Sequence, residues 1–433
     1  MKHLITILVI NLFWLFTPIS VFSQEVLNAR KALKGSLKHN TTYIVSSEIN
    51  LKGHTLNIPE YCVLIFAGGS FSNGKIIYNK NTILGNCDIS CECIGELVNT
   101  FVTPQMYGAK GNGVTDDTKA FQELEGKDVY IPSGVYMLSH VVYTKPTVLR
   151  GAGTKKTVIK QISESKSDLF LFVNPTSSIM EDLSIEGNID DKEIMSEYQA
   201  LIKLYSTDGK ISGYGCNFSH LWLKNAPASG LVLLGSGSSD PMVKEGTRGL
   251  WSFSITDITI SGCKRWGMID ESSDNRFSDF FVSACGYGGL LCNKCGSNMY
   301  VNFKIDGGSL GYLGKEDGYD NGALLVVKNS ANLRFAHFDL QSAYFCGCKM
   351  SNATNIFFSG DINNCGLTTD NGTAMRLKSV KYADIDVTMF NMSTKQKYGV
   401  VVEPDCQYIS VTGNNKDDAL NLMRSKTSTL KMK

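Results

Sequence analysis

From residue 180 onward, a short pattern of apolar and polar positions recurs along this chain. Apolar residues occupy the first, fourth and sixth positions of each copy, and most of the residues between them are polar or small. This alternation predicts short strands that bury one face and expose the other. The copies are Met180–Ile185, Phe218–Leu223, Ile255–Ile260, Phe277–Val282, Tyr300–Ile305, Phe335–Leu340 and Tyr382–Val387.

A second kind of segment alternates with these strands, and it opens with a small residue followed by an apolar run. Successive openings are 22 to 37 residues apart, which suits one coil of a β-solenoid with loops inserted in the longer intervals. No helical period of comparable strength lies between the strands, so the sequence predicts an all-β parallel β-helix. The openings are Gly230, Gly267, Gly289, Gly322, Gly347, Thr373 and Gly399.

One copy of the strand pattern is irregular. In the segment that begins at Ile356, alignment on Phe358 would turn Asp361 and Asn363 toward the core. Either the register of the strand shifts there or a polar side chain is buried, and the sequence leaves both alternatives open.

The two ends of the chain do not follow the repeat. Residues 1–23 combine a basic start, an apolar run and a small residue at the end, which is typical of a secretory signal peptide. Residues 24–100 alternate strand patterns with Gly and Asn turns and are expected to form a short N-terminal β cap. Residues 101–413 are the predicted β-helix domain, and residues 414–433 form a polar C-terminal tail. The protein is therefore expected to be secreted, either periplasmic or extracellular.

Composition narrows the classes of partner. The 42 basic and 41 acidic residues nearly balance, so no strong field attracts nucleic acid or an anionic membrane. No second apolar span follows the signal peptide, which argues against membrane insertion. The 13 cysteines allow disulfides or buried thiols. With only 6 histidines and no zinc-ribbon spacing, we expect neither a metal nor a cofactor.

A Gly-rich motif precedes the repeats: YGAKGNGVTDDTKAFQ over residues 107–122, followed by strand–turn patterns at 129–139 and 148–159. Thr115, Asp116 or Asp117 is expected to cap a short helix over 118–124, and the two aspartates are expected to shape the turn. This run resembles the opening of the pectate-lyase-superfamily β-helix, which is also seen in rhamnogalacturonase-like and phage-tailspike-like proteins. The resemblance covers about residues 101–413 and implies a right-handed parallel β-helix. That superfamily contains hydrolases, lyases, epimerases and non-enzymes, so the reaction does not follow from the fold.

The repeat also predicts which side chains face solvent. If the apolar positions point inward, Trp222, Phe281, Lys304 and Asp339 stand in one outward column. Asp306 belongs to the neighbouring column, and with neighbouring coils about 4.8 Å apart the two columns form one exposed strip. Aromatic rings stack on sugars and charged groups bind hydroxyls or uronates, so this strip suits a polysaccharide. Loops at 187–198 and 307–321 are expected to wall it.

Asp306 and Asp339 are the candidate catalytic residues. Their diagonal position on adjacent coils predicts a separation of about 7–8 Å, and carboxylates about 6.5–9.5 Å apart suit an inverting glycosidase. Alternatively, Lys304 pairs with Asp339 in a surface charge ladder, and carboxylates in the 307–321 loop are rival candidates. Trp222, Phe281, Lys304 and His337 are the candidate substrate-binding residues, although the position of His337 also suits a turn that bonds the backbone.

These features favour an exported carbohydrate-active protein whose partner is a polysaccharide, most simply a glycoside hydrolase. Two alternatives remain open at this point. One is a polysaccharide lyase or epimerase acting on uronates, and the other is a non-catalytic, adhesin-like solenoid that only binds glycans. The oligomeric state does not follow from the sequence.

Overall fold

A computed structural model describes residues 23–163, 165, 167–189, 196, 198–207, 213–235, 249–307, 323–343, 345–366, 372–390 and 396–413. The expected signal peptide, except its last residue, and the expected tail lie outside these residues, as does most of the two predicted loops. The chain divides into two compact units. One is the chain up to Thr100 with Gln105–Gly108, and the other is Phe101–Pro104 with the chain from Ala109 onward.

The first unit consists of short parallel strands and one helix. Helix α1, Ala29–Lys34, starts at Asn28, whose side chain accepts a hydrogen bond from the Lys31 amide (3.0 Å), and ends at Gly35 in the left-handed conformation. The strands lie in the order β1-β2-β5-β6-β3, with β4 and β7 also paired to β6. Their bounds are β1 Ser23–Val26, β2 Thr41–Val45, β3 Glu48–Asn50, β4 Thr55–Asn57, β5 Val63–Phe66, β6 Ser70–Gly85 and β7 Asp88–Leu97.

The second unit is built on a sheet of 14 parallel strands, here called the long sheet. From β15 onward, successive strands of this sheet are one coil apart in the chain. Its strands are β8 Asn112–Asp116, β9 Asp128–Ile131, β10 Gly134–Leu138, β12 Val148–Gly151, β13 Thr157–Gln161, β15 Ile179–Glu186, β18 Asn217–Lys224, β21 Ser254–Ser261, β23 Arg276–Ser283, β25 Met299–Asp306, β27 Ala331–Gln341, β29 Thr354–Asn363, β31 Lys381–Phe390 and β33 Gln407–Thr412.

A second sheet of 10 parallel strands completes the coils. It contains β11 Val141–Tyr143, β14 Phe170–Val173, β16 Ala200–Tyr205, β19 Ser229–Leu234, β22 Trp266–Glu271, β24 Gly288–Asn293, β26 Ala323–Lys328, β28 Cys346–Ser351, β30 Gly372–Lys378 and β32 Gln396–Val402. The remaining elements are the strand pair β17 Gly213–Tyr214 and β20 Leu250–Trp251, a 3₁₀ turn Pro104–Tyr107 and helix α2 Thr118–Gln122. Two parallel sheets whose strands alternate along the chain confirm the predicted all-β parallel β-helix.

The inward columns of the long sheet are formed by stacked aromatic rings. The rings of Phe280 and Phe303 lie 4.6 Å apart, and those of Phe303 and Phe338 lie 5.4 Å apart. All three side chains are buried, as the repeat predicts. Rings on successive coils stack because the coil spacing, about 4.8 Å, matches the distance between stacked rings.

Each central strand of the long sheet bends at one residue in the left-handed conformation. That residue lies between the first and second apolar positions of the repeat, and His337 occupies it with φ 53°. Because polar residues tolerate this conformation best, the position is a structural turn. This agrees with the alternative that His337 occupies a turn position. The other members of the column are Asp182, His220, Asp257, Asp279 and Asn302.

The irregular segment is a register shift. Gly360 lies opposite Phe338, so His337 has no partner residue in β29. Asp361 then lies beside Asp339 on the outer face, and Ile362 turns inward and is fully buried. A Cβ at Gly360 would lie 2.6 Å from the Phe338 carbonyl oxygen, so this close approach of two backbones requires glycine.

The second sheet is covered on both faces. Every residue of β19, β22 and β24 is buried, and consecutive residues of a strand point to opposite faces. Charged groups are enclosed here too: the Lys203 ammonium lies 3.8 Å from Asp168, and both residues are buried. The three strands β19, β22 and β24 therefore offer no exposed face, whereas the outer face of the long sheet carries exposed side chains.

A buried polar network surrounds Asp270. Its carboxylate accepts hydrogen bonds from the Ser272 amide (3.0 Å), the Asn298 amide group (2.7 Å) and the Tyr300 hydroxyl. Burial raises the pKa of Asp270, and the hydrogen bonds oppose that shift. Because Tyr300 belongs to the aromatic stack, the network ties the second sheet to the core of the long sheet.

All thirteen cysteines are free thiols, and all except Cys87 are buried. Burial raises the pKa of both Cys93 and Cys216 to about 12, so these thiols are unreactive near neutral pH. No helix among the described residues is long and apolar enough to cross a membrane.

The Gly-rich motif has the structural role that was expected of it. Asp117 is the N-cap residue of α2 but its side chain makes no capping hydrogen bond; Asp116, one residue earlier, accepts a hydrogen bond from the Thr118 amide (2.9 Å) instead. Asp117 is buried and accepts hydrogen bonds from the amides of Lys110 (2.7 Å) and Gly111 (3.0 Å), which holds the glycine loop. The helix ends at Gln122, two residues before the predicted end.

Candidate functional site

An open groove of about 700 Å³ runs over the outer face of the long sheet, where β23, β25, β27 and β29 lie side by side. We call it the aspartate groove. Four of the six predicted site residues line it: Phe281, Lys304, His337 and Asp339. The other lining residues are Asp279, Phe280, Asn302, Phe303, Phe338, Ser359, Gly360 and Asp361.

Lys304 and Asp339 form the centre of the aspartate groove. They are register partners on β25 and β27, and the Lys304 ammonium lies 2.9 Å from Asp339 Oδ2. The same ammonium donates a hydrogen bond to Gln341 Oε1 (2.6 Å). The second oxygen of Asp339 is buried and has no hydrogen-bond partner among the described residues. The predicted Lys304–Asp339 pair is thus present, and it fixes the orientation of the carboxylate.

Asp361 is the residue that the sequence pattern missed. It is exposed and lies directly beside Asp339, because the shift at Gly360 places it in the outward column. Regular continuation of the repeat would have turned it inward. The signal in the sequence was the glycine, since a glycine inside a strand often marks a bulge or a close approach of two backbones.

Asp306 and Trp222 lie on the same outer face but outside the lining of the aspartate groove. Asp306 is the register partner of Gln341, two positions beyond Asp339, which is the diagonal arrangement that the repeat predicts. Trp222 lies on β18, and its ring is covered by the Lys224 ammonium, 3.9 Å from the ring centroid. Ser184 on β15 is the register partner of Trp222 and is buried, so the exposed column ends at β18.

The described residues contain no group of three His, Cys, Asp or Glu side chains that is arranged to hold a metal. The rival carboxylates Glu316, Asp317 and Asp320 lie outside the described residues.

Comparison with known proteins points to the same architecture. Residues 101–290 match the family described as rhamnogalacturonase A/epimerase, pectate lyase-like. The pre-neck appendage protein of Bacillus phage B103 is 26% identical over 236 residues, which cover 51% of this chain and 26% of the relative. The capsule K30/K69-specific depolymerase of Klebsiella phage K64-1 is 26% identical over 159 residues, 34% of this chain and 20% of the relative. This chain therefore spans only a minor part of the length of these curated relatives.

A solved structure shows the same fold. Tailspike protein 2 of Escherichia coli O157:H7 bacteriophage CAB120 superposes with a TM-score of 0.61 at 14% identity, over 78% of this chain and 46% of the tailspike chain. Together with the parallel coils, the match over 101–290 confirms the resemblance inferred from the Gly-rich motif. Over residues 101–290 the chain is therefore similar to the pectate-lyase-like proteins of the family described as rhamnogalacturonase A/epimerase.

Proposed function

We propose that this protein is an exported glycoside hydrolase that cleaves a polysaccharide in the aspartate groove. The observation that carries the proposal is the in-register pair Asp339 and Asp361, which lie side by side in an open groove with Lys304 and the exposed ring of Phe281. Two carboxylates flanking one position are the groups that hydrolysis of a glycosidic bond needs.

The geometry supports distinct roles for the two carboxylates. Lys304 holds Asp339 Oδ2, which aims the carboxylate and suits a nucleophile. Asp361 is exposed and suits the acid that protonates the leaving oxygen and then activates water. Neighbouring parallel strands place such side chains about 5 Å apart, which is the spacing of retaining glycosidases.

Asp306 offers the alternative pairing that the sequence predicts. Its diagonal position relative to Asp339 gives a wider separation, about 7–8 Å, with room for a water and inversion at the anomeric carbon. Asp361 is the preferred partner because it lines the groove whereas Asp306 does not.

The remaining predicted residues take supporting roles. The exposed ring of Phe281 supplies a surface on which a sugar ring stacks, and His337 stands exposed at the bend beside Asp339. Trp222 lies three coils from Lys304 along the same face and would contact only a long chain. Relatives named as a capsule depolymerase and as a phage tailspike support an extracellular polysaccharide as the substrate.

The test is turnover of a panel of polysaccharides: rhamnogalacturonan, polygalacturonate, alginate, and the K30 and K69 capsular polysaccharides. Reducing ends report hydrolysis, and near-ultraviolet absorbance reports the unsaturated ends that a lyase leaves. We expect new reducing ends without that absorbance, and their loss in an Asp339→Asn variant. Unsaturated products would show that the protein is a lyase. Binding without any product would show that it is a non-catalytic glycan-binding solenoid.

A further inference from the structure

A second groove, of about 640 Å³, lies on the outer face of the long sheet where β27, β29, β31 and β33 meet. We call it the tyrosine groove. Its distinctive feature is a pair of parallel rings, Tyr382 and Tyr408, with centroids 4.8 Å apart and an interplanar angle of 1°. The other lining residues are Asn332, Leu333, Arg334, Asn355, Ile356, Phe357, Ala383, Asp384 and Ser410.

The two tyrosines adopt a backbone conformation that their residue type disfavours. Tyr382 has φ 54° and Tyr408 has φ 56°, both in the left-handed region. In the same column, the two preceding coils carry Asn332 and Asn355 with nearly equal φ. Asparagine adopts this region several-fold more readily than bulky residues do, so the backbone at this position does not explain why two coils carry tyrosine.

The strain does not serve the core. Tyr382 is 58% exposed and Tyr408 is 65% exposed, so neither ring buries much surface. Strained backbone without a packing benefit raises the question of a function. Unlike Tyr61, which shows similar strain alone, these two tyrosines lie on successive coils and hold their rings parallel in one groove. A rigid pair of exposed rings suits a ligand with a flat apolar face.

The polar side chains of the tyrosine groove indicate what kind of ligand this is. Arg334, Asp384 and Ser410 occupy one register column, with the exposed ring of Phe357 between Arg334 and Asp384. No ion pair holds Arg334 or Asp384 among the described residues, so both are available to hydroxyl or carboxyl groups. Aromatic faces next to such groups match a pyranose ring, which has apolar C–H faces and a polar rim.

The position of the tyrosine groove relative to the aspartate groove strengthens this assignment. Both grooves lie on β27 and β29: Arg334 lines one and His337 the other, three residues apart on one strand. At about 3.3 Å per residue, this is a step of about 10 Å. One glycan chain can therefore occupy both grooves.

We infer that the tyrosine groove is a glycan-holding subsite, in which Tyr382 and Tyr408 stack against a sugar of the polysaccharide bound in the aspartate groove. The inference relies on the proposed function for the class of ligand. Its test, however, measures binding and needs no turnover.

The decisive variant replaces both rings by the residue that the fold uses one coil earlier, Tyr382→Asn with Tyr408→Asn. Asn355 already donates a hydrogen bond to Asn332 Oδ1 (2.7 Å), so the substitutions extend an existing ladder. Thermal stability should stay equal or rise, because asparagine relieves the backbone strain. Tyr61→Asn is the matched control, since Tyr61 is 50% exposed with φ 58° and lies in the first unit.

Binding is measured by affinity gel electrophoresis in gels that contain each polysaccharide of the panel, with Asp339→Asn in every protein to prevent cleavage. We expect the dissociation constant for the retarding polysaccharide to rise about tenfold or more in the double tyrosine variant and to be unchanged in Tyr61→Asn. Retention of full affinity would overturn the inference, as would the absence of retardation by any polysaccharide. Self-association that the double variant abolishes would also overturn it, because it would assign the rings to a second copy of the chain.

The outcomes separate the two proposals. If the double tyrosine variant loses retardation in the gel assay and the protein with Asp339 intact shows no turnover, the subsite is supported and the hydrolase is excluded. If the protein with Asp339 intact shows turnover and the double tyrosine variant is retarded as strongly as before, the hydrolase is supported and the subsite is excluded.

Discussion

Lys304 and Asp339 are joined by an ion pair across two adjacent coils, with 2.9 Å between Nζ and Oδ2. Both side chains are partly exposed, and an ion pair of this kind contributes only about 0–1 kcal/mol to stability. In the proposed active site, its main effect is to orient the Asp339 carboxylate.

We therefore expect Lys304→Met to lower turnover at least about a hundredfold, comparable to the loss of one preorganised electrostatic contact. The free energy of unfolding should change by less than about 1 kcal/mol. Lys75→Met is the matched control, because Lys75 pairs with Glu92 at 3.1 Å with similar exposure in the first unit. Equal activity of the two variants in a reducing-end assay would exclude a catalytic role for the Lys304 pair.

The pairing of the carboxylates predicts the stereochemistry of the product. If Asp339 acts with Asp361, the first-formed product keeps the anomeric configuration of the substrate. Proton NMR of the anomeric signals during the first minutes of hydrolysis measures this directly. Inversion, together with full activity of Asp361→Asn and inactivity of Asp306→Asn, would move the active pair to Asp306 and Asp339.

Gly360 sets the register that brings these carboxylates together. A Cβ there would lie 2.6 Å from the Phe338 carbonyl oxygen and 2.7 Å from its ring, so the strands must separate to accept it. Gly360→Ala should destabilise the protein by roughly 1–3 kcal/mol and reduce turnover, as measured by chemical denaturation and reducing-end assays. At Gly249 a Cβ would meet no atom of the described residues within 4 Å, so Gly249→Ala should leave both quantities unchanged.

Asp270 predicts a pH dependence of stability. Its folded-state pKa is raised by burial above the usual 3.8, so the unfolded chain gives up this proton first. The contribution of Asp270 is then fully present below about pH 3.8 and is lost as pH rises toward the folded-state pKa.

Asp270→Asn removes this titration but disturbs the hydrogen bonds from Ser272 and Tyr300. We expect it to destabilise the protein by about 1–3 kcal/mol at pH 4, with a smaller deficit at pH 7, as measured by urea denaturation at both values. The exposed Asp384→Asn serves as the control. A deficit that grows with pH would show that the carboxylate is stabilised in its charged form.

The coils were predictable because each copy of the repeat carries apolar residues at the same positions. These residues stack on one another from coil to coil, so they must all lie on the same, inward face of the sheet. Phe280, Phe303 and Phe338 are therefore buried where the pattern placed them. The turn position of His337 was visible for the same reason, since Asp and Asn occupy it in neighbouring coils.

The site was only partly predictable. A repeat specifies which face a residue occupies while the register holds. At Gly360 the register changes through a close contact between two backbones, which the glycine signals but the apolar pattern itself does not encode. Asp361 was missed for that reason. The tyrosine groove was missed because Tyr382 counted as an inward apolar position, whereas the next apolar residue, Ala383, is the one that is buried.

The spacing of the coils sets the distance between carboxylates on successive strands. Neighbouring coils place two carboxylates one step apart, whereas a coil inserted between β27 and β29 would set them two steps apart, about 10 Å. Duplication of a single coil would therefore take the pair out of the range of a double-displacement reaction without altering any residue of the site. If the proposed pair is catalytic, the number of coils between its two carboxylates therefore decides which reaction the solenoid can perform.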